Sequence, residues 1–174
     1  MLLDVTPYTE PLARTPAVLR AVIDGRPDAW LDSRHAPDVV SPREAVAHLL
    51  LTDRDFGWVD RARLVLDPDY VVPPSDDISE ADLLKTCSVQ DLLDEFETVR
   101  AKRIKELEDL HLSSSDLEKQ RTHSVFGPYT LGQLLATWVA HDLYHLGQVF
   151  KSYSALYGNE IGPWQHYLNL PHFN

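Results

Sequence analysis

Four stretches of the chain carry apolar residues at helical spacing, with polar punctuation between them. The first holds Leu12, Val18, Leu19, Val22 and Ile23 ahead of Gly25, while Pro11 and Pro16 restrict where a helix can start, because a proline removes one backbone donor. The second opens at Ser41-Pro42-Arg43-Glu44, which combines a capping serine, a proline at the first helical position and a glutamate three residues after the cap. Its apolar positions Ala45, Leu49, Phe56, Val59 and Leu66 predict one helix to about Leu66, with Arg43, Arg54 and Arg61 on the opposite side and Asp67-Pro68 as the stop. The third opens on another capping box, Ser88-Val89-Gln90-Asp91, and continues through Leu92, Phe96, Val99, Leu107 and Leu110. Its charged face reads as solvated surface, with weak pairs at Lys102 with Glu106 and Lys105 with Asp109. The fourth starts at Thr130-Leu131-Gly132-Gln133 and runs without proline to Tyr157, about 42 Å at 1.5 Å per residue, with Gly158 expected as a left-handed stop.

Two long connections separate these helices, residues 67–87 and 111–129. Glu80 to Lys85 is expected to form a turn or two of helix and His123 to Phe126 to extend briefly, while Ser113-Ser114-Ser115 reads as a turn leading into Asp116-Leu117-Glu118. Without convincing alternating strands, the pattern predicts an all-α fold: one domain over residues 1–174, a four-helix bundle with a long crossover connection at residues 67–87.

Composition narrows the function classes. A length of 174 residues with 44% hydrophobic and 25% charged positions suits one ordinary domain with a sizeable core. Sixteen Lys and Arg against 27 Asp and Glu give a net charge of −11, which repels a phosphate backbone, so no nucleic-acid partner is expected. No apolar run approaches the roughly 20 residues of a membrane span and no signal pattern opens the chain, so the expectation is a cytoplasmic protein without a membrane partner. The single cysteine, Cys87, forms no disulfide framework and reads as a half-buried small residue, so any metal must be held by His and carboxylate.

The chemistry lies in the fourth helix, where His141-Asp142-Leu143-Tyr144-His145 places two imidazoles one above the other on the face that also carries Leu134, Thr137, Trp138, Val149 and Ser152. Such spacing alone is weak, since a buried histidine is more often satisfied by a carbonyl or hydroxyl. His48 changes the balance: it lies mid-way along another long helix, at the edge of its apolar arc. Three neutral imidazoles from two helices can hold a divalent ion and leave positions open for water or substrate.

At this point the chain resembles the DinB/YfiT-like metalloenzymes. The resemblance rests on Ser-Pro-Arg-Glu-Ala-Val-Ala-His at 41–48, Phe-Gly-Pro-Tyr-Thr-Leu-Gly-Gln-Leu-Leu at 126–135, and His141-Asp-Leu-Tyr-His145 followed by Leu146-Gly147-Gln148, in that order over most of the chain. It implies that family's four-helix bundle, with a short hairpin-like segment before the last helix, and His48, His141 and His145 as ligands of one divalent metal, nickel, zinc or iron. It also implies a small-molecule substrate, with relatives that are thiol transferases or isomerases using low-molecular-weight thiols and others that are hydrolases, and it suggests a homodimer.

Metal activation of a bound water or thiol is the chemistry common to these activities. Asp55 is a candidate base or partner of an imidazole, and Gln148, three residues after His145, a candidate for the open coordination side. Asp142 points away from His141 and is expected behind the ligand or on the surface. A HExxH-type zinc peptidase is disfavoured, because Asp142 is shorter than the required Glu and a third ligand would have to come from Glu160 or His166, beyond Gly158. The remaining alternative is a bundle that binds metal or a small ligand without turnover.

Overall fold

The computed structural model describes residues 2–55 and 57–168. In chain order it contains α1 (Thr6–Ile23), α2 (Asp28–Leu31), α3 (Pro42–Arg54), α4 (Trp58–Leu66), α5 (Glu80–Thr86), α6 (Val89–Glu108), a 3-10 turn (Asp116–Glu118), β1 (Gln120–His123), β2 (Gly127–Thr130), α7 (Leu131–Leu156) and α8 (Trp164–Leu168). The capping boxes at Ser41, Ser88 and Thr130 all form, each with reciprocal bonds between the cap and the third helical residue. Ser79 and Asp82 build the same device at the start of α5.

The helix starting at Ser41 does not run unbroken to Leu66. It stops at Arg54 and restarts as α4 after Gly57, whose backbone lies so close to Asp53 that a Cβ would sit 2.3 Å from the Asp53 carbonyl oxygen. Phe56 lies outside the described residues. The break also separates the three arginines expected on one side: Arg43 pairs with Asp28 and Asp32, Arg54 with Glu95, and Arg61 stacks 5.2 Å from the Trp58 ring.

Two apolar clusters give the helix directions. Ile23 at the end of α1, Ala45 and Leu49 of α3, Leu92 at the start of α6 and Tyr153 at the end of α7 share one cluster. Leu12 near the start of α1, Val65 of α4, Leu107 at the end of α6 and Leu135 at the start of α7 share the other. Hence α1 and α7 run one way and α3, α4 and α6 the other. Because α3 packs beside α6 and runs parallel to it, the connection over residues 67–87 must return the length of the bundle, which is the crossover predicted from its length.

Between the clusters sits Arg100, with a side chain only 1% exposed. Its Nε donates to Asp53 Oδ2 at 2.5 Å, its Nη2 to Asp142 Oδ1 at 3.0 Å and its Nη1 to the Leu12 carbonyl at 3.0 Å. That last bond explains how α1 accommodates Pro16, since proline supplies no N–H to the carbonyl four residues earlier and the guanidinium takes its place. Burial pushes the Asp53 carboxyl up to about 6 against the pull of Arg100. The expectation of a wholly solvated α6 face is therefore corrected: Lys102 and Lys105 do pair at the surface with Glu106 and Asp109, but Arg100 points inward. Asp142 is likewise buried rather than on the surface.

The segment before α7 is a two-stranded antiparallel hairpin, in register from Gln120 opposite Thr130 to His123 opposite Gly127. Four-residue strands are too short for an alternating pattern to show in sequence. Gly127 turns the chain at a φ of 80°, and Arg121 Nη1 donates to the Leu64 carbonyl at 2.8 Å, pinning the hairpin to α4. Gly158 does not act as a left-handed stop; the described glycines with positive φ are Gly25, Gly127 and Gly162, and α7 closes with Gly158 N–H on the Ala155 carbonyl at 2.9 Å. Cys87 is half-buried at the end of α5, and no helix among the described residues is long and apolar enough to cross a membrane.

Candidate metal centre

The inner face of α7 carries Leu134, Trp138, His145, Val149 and Ser152 into the bundle, and half-buried His141 lies on the same side. Opposite it, α3 buries Ala45, Leu49 and Leu50 and brings half-buried His48 to the edge of that face. The three rings meet there. His48 Nε2 lies 3.1 Å from His141 Nε2, His145 Nε2 lies 3.2 Å from the same atom, and all three ligand atoms fall within 4.8 Å of one another.

Proton sharing cannot satisfy this arrangement. A ring nitrogen of neutral imidazole has either one proton or one lone pair, so His141 Nε2 can serve only one of its two neighbours. Burial, together with the charges that His145, His48, Arg100 and Arg61 would set against it, holds His141 down at about 3. Burial and His48 hold His145 down at about 4, against an opposing pull from the Gln148 side chain. Both rings are therefore neutral near pH 7 and present lone pairs. Nitrogens bound to one ion at 2.0–2.1 Å lie about 2.8–3.4 Å apart for angles between square and tetrahedral. The two contacts of His141 Nε2 fall in that range and the three ligand atoms lie within 4.8 Å of one another, so a modest closing of the outer pair gives a donor set that fits a divalent metal.

The outer nitrogens differ. Nδ1 of His48 faces Glu80 Oε2 at 3.4 Å, whereas Nδ1 of His141 and of His145 are buried with no partner among the described residues. Glu80 comes from α5 in the crossover, which packs on α3. Asp55, the carboxylate singled out in the sequence, instead ends α3 and pairs with Arg54 at 3.5 Å. Gln148 is buried beside His145 and donates to the Tyr144 hydroxyl at 3.2 Å, with its Oε1 left unpartnered among the described residues. Glu160 and His166, the alternative third ligands of a peptidase, lie exposed beyond α7. Sequence reasoning read the helix that carries Glu80 but not the residue's position, and it missed Trp58, whose ring sits 5.3 Å from His141 and stacks on Trp138 with centroids 6.3 Å apart.

A cavity of about 320 Å³ opens between α4, the hairpin and α7, walled by Trp58 and Arg61 of α4, by His123, Phe126 and Tyr129 of the hairpin, and by Leu134 of α7. Trp58 belongs both to this wall and to the surroundings of His141, and none of the three imidazoles is among the described residues lining the cavity.

Residues 12–149 match the family model of the DinB superfamily. No curated protein matches the chain. Among solved structures, the chain is similar to YfiT from Bacillus subtilis, described as "a probable metal-dependent hydrolase with an unusual four-helix bundle topology". The two share 17% identity and superpose with a TM-score of 0.66 over 90% of this chain and 86% of that one, a likeness of fold.

Proposed function

Because this chain belongs to the DinB superfamily, we propose that it is a metal-dependent enzyme in which His48, His141 and His145 hold one divalent ion, nickel, zinc or iron, and a thiol or water is delivered to an electrophilic small molecule. The observation that carries this reading is the meeting of three Nε2 atoms whose mutual contacts proton sharing cannot satisfy. The likeness in fold to a protein described as a probable metal-dependent hydrolase supports it.

When bound, a divalent ion on three neutral imidazoles retains its full positive charge and lowers the pKa of a water or thiol ligand. The chain's own residues prepare the site for that ion. Glu80 Oε2 stands 3.4 Å from His48 Nδ1, which favours the proton on that nitrogen and leaves the Nε2 lone pair directed inward. Burial keeps His141 and His145 unprotonated. Arg100 grips Asp142, the residue next to His141, and so resists rotation of α7 about its axis. Trp58 and Trp138 keep bulk water from the inner side of the cluster.

Transfer of a low-molecular-weight thiol is the leading reaction. A thiol, with an ordinary pKa near 8.5, needs less help to ionise than water near 15.7. Hydrolysis is the second reading, favoured by the description of YfiT. Protein purified without an affinity tag or chelator is expected to carry about one divalent ion per chain, and His145→Ala to lose it. A wild-type chain that, once stripped, takes up no Co(II), Ni(II) or Zn(II) at micromolar concentrations would overturn the reading.

A further inference from the structure

Two polar atoms buried at the imidazole cluster lack partners, and they complement each other. Nδ1 of His145 and Oε1 of Gln148 are enclosed without a hydrogen bond among the described residues, on residues 6% and 8% exposed. A buried polar group left unpaired is costly, so each calls for a partner. Gln148 stands one turn after His145 on the inward face of α7. Long side chains on a helix lean toward its N-terminus, which lays the Gln148 amide over Tyr144 and His145. Its Nε2 donates to the Tyr144 hydroxyl at 3.2 Å, so Oε1 occupies the other side of the amide. Burial and His48 lower the pKa of the His145 ring, and the Gln148 side chain opposes them, as an acceptor of the ring proton does. Among the buried unpartnered atoms of the described residues, Gln148 Oε1 is the only one that solely accepts.

A neutral imidazole has one N–H and one lone pair, and Nε2 of His145 is turned to His141 at 3.2 Å. We infer that Gln148 is a positioning residue: its Oε1 accepts a hydrogen bond from His145 Nδ1–H, which leaves the Nε2 lone pair facing the cluster, while the Tyr144 hydroxyl steadies the amide from its other end. With Nε2 engaged by an ion the ring proton has no place but Nδ1, so this pairing and metal binding reinforce each other. As an account of metal affinity this rests on the ion proposed above, whereas the placement of the proton does not. The counterpart on α3 is His48, with Glu80 Oε2 at 3.4 Å from its Nδ1. One ligand is thus oriented from the crossover and another from within α7.

The test reads the proton's position from the imidazole nitrogen NMR shifts of the metal-free full-length protein near neutral pH, with His145 assigned by the signals missing from His145→Gln. Wild type is expected to hold His145 as the Nδ1–H tautomer. Gln148→Leu should move it toward the Nε2–H form, and Gln148→Glu, which keeps an acceptor oxygen, should leave it as in wild type. A Gln148 that only fills space would move none of these signals, because leucine fills it too. Co(II) affinity, measured against a chromophoric chelator, should fall about 10- to 100-fold in Gln148→Leu and stay within about 3-fold of wild type in Gln148→Glu. Wild-type His145 with its proton on Nε2, a tautomer unchanged in Gln148→Leu, or Co(II) bound equally tightly by wild type and Gln148→Leu overturns the inference. A chain that takes up no ion yet shows the tautomer change refutes the metal reading and leaves the role of Gln148 standing.

Discussion

Oε2 of Glu80 lies 3.4 Å from Nδ1 of His48, whose other nitrogen meets His141 at 3.1 Å. A carboxylate within reach of one nitrogen favours the proton there, so His48 is the imidazole whose Nε2 lone pair is biased toward the cluster. The contact depends on the crossover, which carries α5 back along α3 after α4 has ended at the far end of the bundle.

Glu80→Gln is expected to lower divalent-metal affinity about 10- to 100-fold while leaving thermal unfolding nearly unchanged. Asp55→Asn, at a carboxylate paired with Arg54, should leave affinity unaltered. Competition against a chromophoric chelator measures both, and equal affinities for Glu80→Gln and wild type would show that His48 needs no support from α5.

The pH dependence of the metal-free protein follows from the two suppressed imidazoles. In the unfolded chain a histidine titrates near 6.5, whereas folded His141 and His145 titrate at about 3 and about 4. Between about pH 6.5 and pH 4 the unfolded chain therefore binds more protons, so stability rises with pH through that window and is lost progressively as the solution is acidified. The wild type should lose more thermal stability between pH 7 and pH 5 than the His141→Gln/His145→Gln variant. Equal losses would mean that the two rings are protonated in the folded state.

Arg100 carries the largest mutational cost. Arg100→Met leaves Asp53 and Asp142 buried without their cation and should cost about 3–5 kcal/mol in denaturant unfolding. Adding Asp53→Asn and Asp142→Asn removes the uncompensated charges and should restore a good part of that loss. A single variant within about 0.5 kcal/mol of wild type would contradict the inward placement of the guanidinium.

Gly57→Ala places a methyl group where the Asp53 carbonyl oxygen stands 2.3 Å away, so the chain between α3 and α4 must move. A loss of about 1–3 kcal/mol is expected, with a change in the fluorescence of neighbouring Trp58. Wild-type stability and spectrum would show that this junction has room to relax.

Thiol transfer and hydrolysis separate in the Co(II)-substituted protein. A low-molecular-weight thiol should produce an intense sulfur-to-cobalt charge-transfer band and then support transfer to an electrophile. His145→Ala should remove both and Cys87→Ser neither, because the reacting sulfur belongs to the substrate. A panel of thiols without band or transfer, alongside hydrolysis of activated esters, would decide for water as the nucleophile.

Features set by local chemistry were legible in the sequence, and those set by distant partners were not. Ser41, Ser88 and Thr130 each declare a helix start through a residue three positions on, and the 3.6-residue period puts His48, His141 and His145 on inward arcs although 93 positions separate His48 from His141. The break at Gly57 was hidden because the apolar pattern resumes at Val59, Ala62 and Val65 as though nothing had intervened. Arg100 looks like one charge in a charged run; only Asp53, 47 positions away, and Asp142, 42 positions away, make it interior. Glu80 sits in a connection where no periodicity points at a partner.

The hairpin is attached to the bundle at its margin, with Arg121 on the Leu64 carbonyl, yet it supplies His123, Phe126 and Tyr129 to the cavity wall. The imidazoles, by contrast, belong to α3 and α7, where neighbouring side chains tolerate little change. On the proposed function, the hairpin's exposed turn residues can drift while the nitrogen cluster on α3 and α7 stays intact, so that one scaffold keeps its chemistry as its surroundings change.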